Sequence, residues 1–316
     1  MRFPRHAVCL LAFLTGCVEY GMKGVFGTGG TSTATMLDET GRQTDFWEAS
    51  KTDLIFFGDT SSSMATELET MGDHARAFMD RLDDYDTSWQ MAAVTGPTGC
   101  AVNGIISTSV EGYDDLFAEA LVTPPGSAAV EDGADEWGLY NVDQAVQASG
   151  PGGCNEGFIR DDALLHIVML SDEHDSSPGW NGDDEDYWQT YVDSIKAAKG
   201  EGYMVTLSAV VGPVPDGCEG ASAGLGYAEA VSASSGTLLS ICEAWYERLD
   251  LLVLASVQVS DFPLSQTPDP DTIEVQVNDE ERASGWEYQA DGNLVHFIEE
   301  LPTISYTVTI AYDVAD

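Results

Sequence analysis

Two kinds of apolar pattern alternate along the middle of this chain. Short unbroken runs (Leu54-Ile55-Phe56-Phe57, residues 91–94, 164–170 and 204–211) have the texture of strands buried on both faces. Between them, apolar residues recur every three or four positions. Met64, Leu68, Met71, Ala75, Phe78 and Leu82 make one such stripe, with Glu67, Asp73 and Asp80 turned away from it. Leu139, Val142 and Val146 mark a helix over about 136–148, Trp188, Val192 and Ile195 another, and a last helix is expected over roughly 243–256. Apolar strands alternating with amphipathic helices predict an α/β fold, a doubly wound, mostly parallel sheet covered on both faces. Such sheets bind ligands outside the carboxyl ends of their strands. Beyond Ser260 no helical period remains. Residues 272–277, 294–298 and 305–312 alternate with a period of two and are punctuated by Pro263, Pro268, Pro270 and Pro302. This predicts a small antiparallel β extension that packs on the main domain.

The start of the chain has a different logic. Arg2, Arg5 and His6 precede an apolar stretch over residues 7–14, far too short to span a bilayer. Leu14-Thr15-Gly16-Cys17 follows and resembles a bacterial lipobox. That resemblance implies cleavage before Cys17 and lipidation of its thiol; a soluble secreted protein with an incidental cysteine is the alternative. The resulting division is a lipoprotein signal peptide over 1–16, a Gly/Thr/Ser-rich flexible tether over 17–50, a main domain over 51–258 and the β extension over 259–316. Val18 after the cysteine, rather than Asp, favours the outer membrane by analogy, with periplasmic and surface-facing orientations both open.

Charge narrows the partners. Asp and Glu number 54 against 12 Lys and Arg, a formal net charge of -42. Nucleic-acid binding, which needs clustered cations, is excluded, and adhesion to anionic lipid is disfavoured. Most of these carboxylates serve solubility; some could hold divalent cations and relieve the repulsion. Of the 6 cysteines, Cys9 lies in the signal and Cys17 at the lipid site. The remaining four predict two disulfides in an exported chain, with three pairings open. The sequential pairing, Cys100–Cys154 and Cys218–Cys242, is the one expected here. No CxxC spacing suggests zinc.

The candidate chemistry sits where the first apolar strand ends. Asp59, Ser61 and Ser63 form D-x-S-x-S between that strand and the first amphipathic helix. Two hydroxyls and a carboxylate are hard oxygen ligands suited to Mg²⁺ or Ca²⁺. A serine-rich helix cap without metal is the plainer reading. The motif in this setting resembles the metal-ion-dependent adhesion site (MIDAS) of the von Willebrand factor A (VWA) domain, a likeness covering about residues 50–257. It implies a further Asp after the next central strand, matched by Asp172, and a Thr from a loop before a helix. At the Thr position this chain offers Asp135, a charged donor that would favour Ca²⁺. Asp172–Ser176 and the Cys218…Cys242…Trp245 stretch are more similar to secreted bacterial members than to adhesion receptors, and Trp286-Glu287-Tyr288 is similar to their β extension. The implied function is a lipid-anchored, non-enzymatic binding or adhesion protein of the cell envelope. Its ion would keep one coordination position for an oxygen donor from a protein or other partner. His166, inside a strand, reads as a packed core residue, and His174 as a neighbour of Asp172. Asp183, Asp184, Glu185 and Asp186 lack the regular spacing of a Ca²⁺ loop and read as a solvated acidic segment.

Two other functions draw on residues of this chain. Gly220-Ala221-Ser222-Ala223-Gly224, with Asp250 and His296 after it, has the residue order of an α/β-hydrolase. Its Ser222 lacks the apolar strand that a nucleophile elbow needs, and the small residues read better as the approach to a helix burying Tyr227 and Val231. The second is a structural envelope protein that shares the fold and keeps only a vestigial metal site.

Overall fold

In the computed structural model the described residues are 36–37, 41–49, 51–85, 87–122, 136–161, 163–180, 186–200, 204–257, 261–299, 301 and 306–315. The chain enters through β1 (Met36–Leu37) and β2 (Arg42–Ala49) and passes almost directly into β3 (Lys51–Gly58). Then come α1 (Ala65–Asp83), β4 (Ser88–Val94), β5 (Val102–Ser107), α2 (Tyr113–Val122) and α3 (Gly138–Gln147). The second half of the main domain runs β6 (Leu164–Leu170), α4 (Tyr187–Lys199), β7 (Val205–Val211), α5 (Tyr227–Ser232), β8 (Leu238–Ser240) and α6 (Leu249–Val257).

These strands form one sheet in the order β5-β4-β3-β6-β7-β8, parallel throughout except for the edge strand β5. The unbroken apolar runs follow from this layering. In β3, Leu54 and Phe56 face the side covered by α1, α2 and α6, while Ile55 and Phe57 face α3, α4 and α5. Phe56 packs edge-on against Phe78 of α1 and Phe117 of α2, with ring centroids 5.4 and 4.9 Å apart. Each such fully buried side chain contributes about 1.5–3 kcal/mol of transfer free energy. The doubly wound α/β architecture is therefore present as expected.

The remaining strands are β9 (Asp261–Pro263), β10 (Glu274–Val277), β11 (Glu280–Glu281), β12 (Trp286–Gln289), β13 (Leu294–Phe297) and β14 (Tyr306–Asp313). They build two antiparallel sheets, β1-β2-β14-β10-β11 and β12-β13-β9. Alternate residues Tyr306, Val308, Ile310 and Tyr312 of β14 face a separate core with Trp47, Phe262, Val275 and Phe297. The tether expected over 17–50 is corrected here. Residues 42–49 pair along their whole length with β14 and supply a central strand of the extension. Residues 1–35, including Cys17 and the signal expected over 1–16, lie outside the described residues.

The extension attaches at the amino end of the main sheet. β2 feeds the first residue of β3, α6 leads down to β9, and Leu164, which opens β6, belongs to the extension's core. Cys100 pairs with Cys154, at a Cα separation of 5.6 Å, and Cys218 lies beside Cys242, at 6.5 Å. Among the described residues no helix is long and apolar enough to cross a membrane.

Candidate functional site

At the carboxyl end of β3 the chain turns sharply into α1. Asp59 is fully buried, and its backbone N–H donates to the Leu170 carbonyl of β6 at 3.0 Å, extending the strand pairing by one residue. One carboxylate oxygen, Oδ1, accepts from the Ser61 N–H at 2.8 Å, which closes the bend. A single 3-10 turn, Ser62–Met64, follows, and Met64 anchors it in the core. The Ser61 and Ser63 hydroxyls lie on the outside of this bend and share a hydrogen bond, with 3.0 Å between their oxygens.

The carboxyl end of β6 supplies the other half. Ser171, buried, donates from Oγ to Asp59 Oδ2 at 2.7 Å and accepts from the Glu173 N–H at 3.1 Å. Asp172 is only 9% exposed, and its Oδ1 has no hydrogen-bond partner among the described residues. Its carbonyl accepts from the Ser222 N–H at 2.8 Å, which ties the loop after β7 to the site. Burial pushes the Asp59 carboxyl above its ordinary range; bonds from Ser61 and Ser171 oppose this, and the charge of Asp172 adds to it. The structure thus brings Asp59, Ser61, Ser63 and Asp172 to one rim. Asp135 lies outside the described residues.

Beneath the rim a third carboxylate has a different task. Asp175 Oδ1 accepts from the Leu139 N–H at the start of α3 and from the Ser177 hydroxyl, and Oδ2 accepts from the Tyr187 hydroxyl. It caps a helix remote in sequence. Burial raises its pKa to about 6 despite these bonds. Tyr227, at the start of α5, is fully buried, and its hydroxyl has no hydrogen-bond partner among the described residues.

These donors fit a hard divalent ion. Oxygen ligands on adjacent corners of an octahedron with bonds near 2.1 Å stand about 3 Å apart, which matches the Ser61–Ser63 separation of 3.0 Å. The unpartnered Asp172 Oδ1 is a buried carboxyl oxygen left without a donor, and a cation would satisfy it. Among the described residues no group of three or more His, Cys, Asp and Glu side chains is placed to hold a metal, so such an ion would depend on the serines.

The hydrolase constellation is not assembled. Ser222 leans on Asp172, Asp250 pairs with Arg81 at 3.9 Å, and His296 with Asp261 at 2.6 Å. His166 is a core residue, its nitrogens 2.7 and 2.8 Å from the Ser256 and Ser208 hydroxyls, and burial lowers its pKa to about 3. His174 packs against Trp180, with centroids 5.5 Å apart. Residues 183–185 of the acidic segment lie outside the described residues. Sequence reasoning missed Ser171, Asp175 and Tyr227. Ser171 had a usable signal, since Gly58 pairs with Leu170 and the next residue on each strand must then be neighbours.

No family model matches the sequence, and no curated protein matches it. Solved structures similar to this chain include a von Willebrand factor type A protein from Catenulispora acidiphila, at 13% identity and a TM-score of 0.43 over 91% of this chain. They also include the pilus adhesin SpaC from Lactobacillus rhamnosus GG, at 12% identity and a TM-score of 0.35 over 88% of this chain. The chain spans 63% of the length of the first and 42% of the second.

Proposed function

We propose that this protein is an exported, lipid-anchored binding protein. In this reading a divalent cation, Mg²⁺ or Ca²⁺, sits at the carboxyl rim of the sheet and engages an oxygen donor of a partner. The observation that carries the proposal is the Ser61–Ser63 hydroxyl pair, 3.0 Å apart above a buried Asp59, together with the unpartnered Asp172 oxygen on the neighbouring loop. Asp59, Ser61, Ser63 and Asp172 would hold the ion, with Asp135 as a further donor. Two hydroxyls leave much of the ion's charge to the carboxylates, and its remaining position is free for a carboxylate, carbonyl or hydroxyl of the partner. The lipobox-like Leu14-Thr15-Gly16-Cys17 supports anchoring of Cys17 to the bacterial outer membrane.

Titration calorimetry with Mg²⁺, Ca²⁺ and Mn²⁺ tests the site directly. Wild type should bind one ion per chain, and Asp59→Ala should lose at least about tenfold in affinity. Capture of envelope proteins on the immobilised chain should then disappear in EDTA. Equal titrations of wild type and Asp59→Ala would remove the proposal.

A further inference from the structure

The hydroxyl of Tyr227 is an anomaly for a structural residue. It is fully buried, makes no hydrogen bond among the described residues, and sits where phenylalanine would fill the same space without stranding a polar group. The neighbouring helix also yields room for it. Gly138 opens α3, and a Cβ there would collide with the Tyr227 hydroxyl and with the ring carbons next to it, so a residue poor in helix propensity stands where the tyrosine ring meets the helix. The hydroxyl does not point into apolar space. Ser171 stands close enough to act on it as a hydrogen-bond partner, and Asp175, Asp59 and Tyr187 act on it electrostatically.

Ser171 is the natural acceptor. A hydroxyl has one proton to donate and two lone pairs. The Ser171 proton goes to Asp59 Oδ2 and one lone pair to the Glu173 N–H, which leaves the second lone pair for another donor. A Tyr227 O–H on that lone pair would complete a chain from Tyr227 through Ser171 to Asp59, and hydrogen bonds in such chains strengthen one another. A cation on Asp59 draws electron density toward itself and fixes the carboxylate, which is when orientation of Asp59 by Ser171 matters most.

We infer that Tyr227 is a positioning residue of the ion site. Its hydroxyl donates to Ser171 Oγ in the ion-loaded protein and holds Asp59 in its ligating orientation through Ser171. This inference rests on the divalent-ion reading above. It assigns the hydroxyl, which no described residue satisfies, to the loaded state.

The test separates a positioning role from a packing role. Tyr227→Phe keeps the ring and removes only the hydroxyl. In EDTA it should melt at or above the wild-type temperature, because no well-formed hydrogen bond is lost there. Its affinity for Mg²⁺ and Mn²⁺ should nevertheless fall about tenfold by titration calorimetry. Ser171→Ala should weaken the ion similarly, and the double variant should be no weaker than Ser171→Ala alone, since both act along one chain. Wild-type affinity in Tyr227→Phe, with binding abolished in Asp59→Ala, would overturn this inference and leave the ion site standing. So would losses that add in full in the double variant, or a Tyr227→Phe melting temperature well below wild type in EDTA. Absence of ion binding in the wild type would overturn both readings together.

Discussion

At the residue scale, two buried ionisable groups pull the pH dependence of stability in opposite directions. Burial pushes the Asp175 carboxyl up to about 6, against 3.8 for an ordinary Asp, and outweighs the hydrogen bonds it accepts from Leu139, Ser177 and Tyr187. The folded state therefore holds this proton more tightly than the unfolded chain. The stability it contributes is complete below about pH 3.8 and is lost as pH rises through about 6. His166 does the reverse. Its pKa falls from 6.5 to about 3 by burial, so the unfolded chain protonates first and stability is lost as pH drops below 6.5. In wild type the two effects partly cancel between about pH 4 and about pH 6. Asp175→Asn removes one of them and should lose stability faster than wild type as pH falls through that window. Urea midpoints at a series of pH values measure this, and parallel curves for the two proteins would show that Asp175 is already ionised there. The same residue shows what a linear reading misses. Its main partner, the Leu139 N–H, is 36 positions away, and nothing in Asp172-Glu173-His174-Asp175 marks the last acid as a helix cap.

At the scale of elements, legibility follows what each strand faces. β3, β6 and β7 are covered on both sides, so apolar runs identify them. β5 is an edge strand with Asn103 and Gly104 exposed, and β8 has three residues; neither carries a pattern long enough to read. β2 is concealed for another reason. Its inward positions are Gln43, Asp45 and Trp47, and a buried Asp at the centre breaks the apolar alternation. Asp45 is tolerated because Gln43, Ser265 and the Tyr312 hydroxyl all donate to it, at 2.9, 2.6 and 2.8 Å. The metal-ligand candidates were legible because strand end and motif are local, whereas Ser171 reaches Asp59 across 112 positions. A consequence for β2 can be tested by truncation. A chain starting at Lys51 would strip β14 of one of its two partners, remove Trp47 from beside Val308 and Ile310, and leave Tyr312 without Asp45. Such a chain should bind a hydrophobic dye and be cleaved by protease within 261–315, while a chain starting at residue 36 resists both. Equal resistance of the two would mean that the extension holds together without β2.

For the whole molecule, the arrangement of charge and of the two domains bears on the same rim. The extension occupies the amino end of the main sheet, and Lys51, Arg160 and Lys199 lie at that end too, with Arg160 bound to buried Asp53 and Lys199 to the Arg160 carbonyl. The rim loops over 59–64, 171–175 and 222–226 carry Asp59, Asp172, Glu173 and Asp175 and no Lys or Arg. A chain of net charge -42 therefore presents carboxylates in these loops with no Lys or Arg beside them, at the end of the main sheet opposite the extension. Any cation will gather there diffusely, so stabilisation by divalent salt does not by itself identify a site. Saturation and ionic strength separate the cases. A bound ion at about 100 times its dissociation constant stabilises by about 2.7 kcal/mol, a rise of roughly 5–10 °C for a domain of this size. In wild type, Ca²⁺ or Mg²⁺ should raise the melting temperature along a saturating curve and EDTA should reverse it. The response should shift to higher ion concentration as NaCl goes from about 50 to about 500 mM, because screening over about 10 Å weakens the field of the distant carboxylates. Asp59→Ala should keep a shallow, non-saturating response that high salt abolishes. If both proteins show only that shallow response, the carboxylates act as a diffuse ionic atmosphere and the serine pair holds no ion.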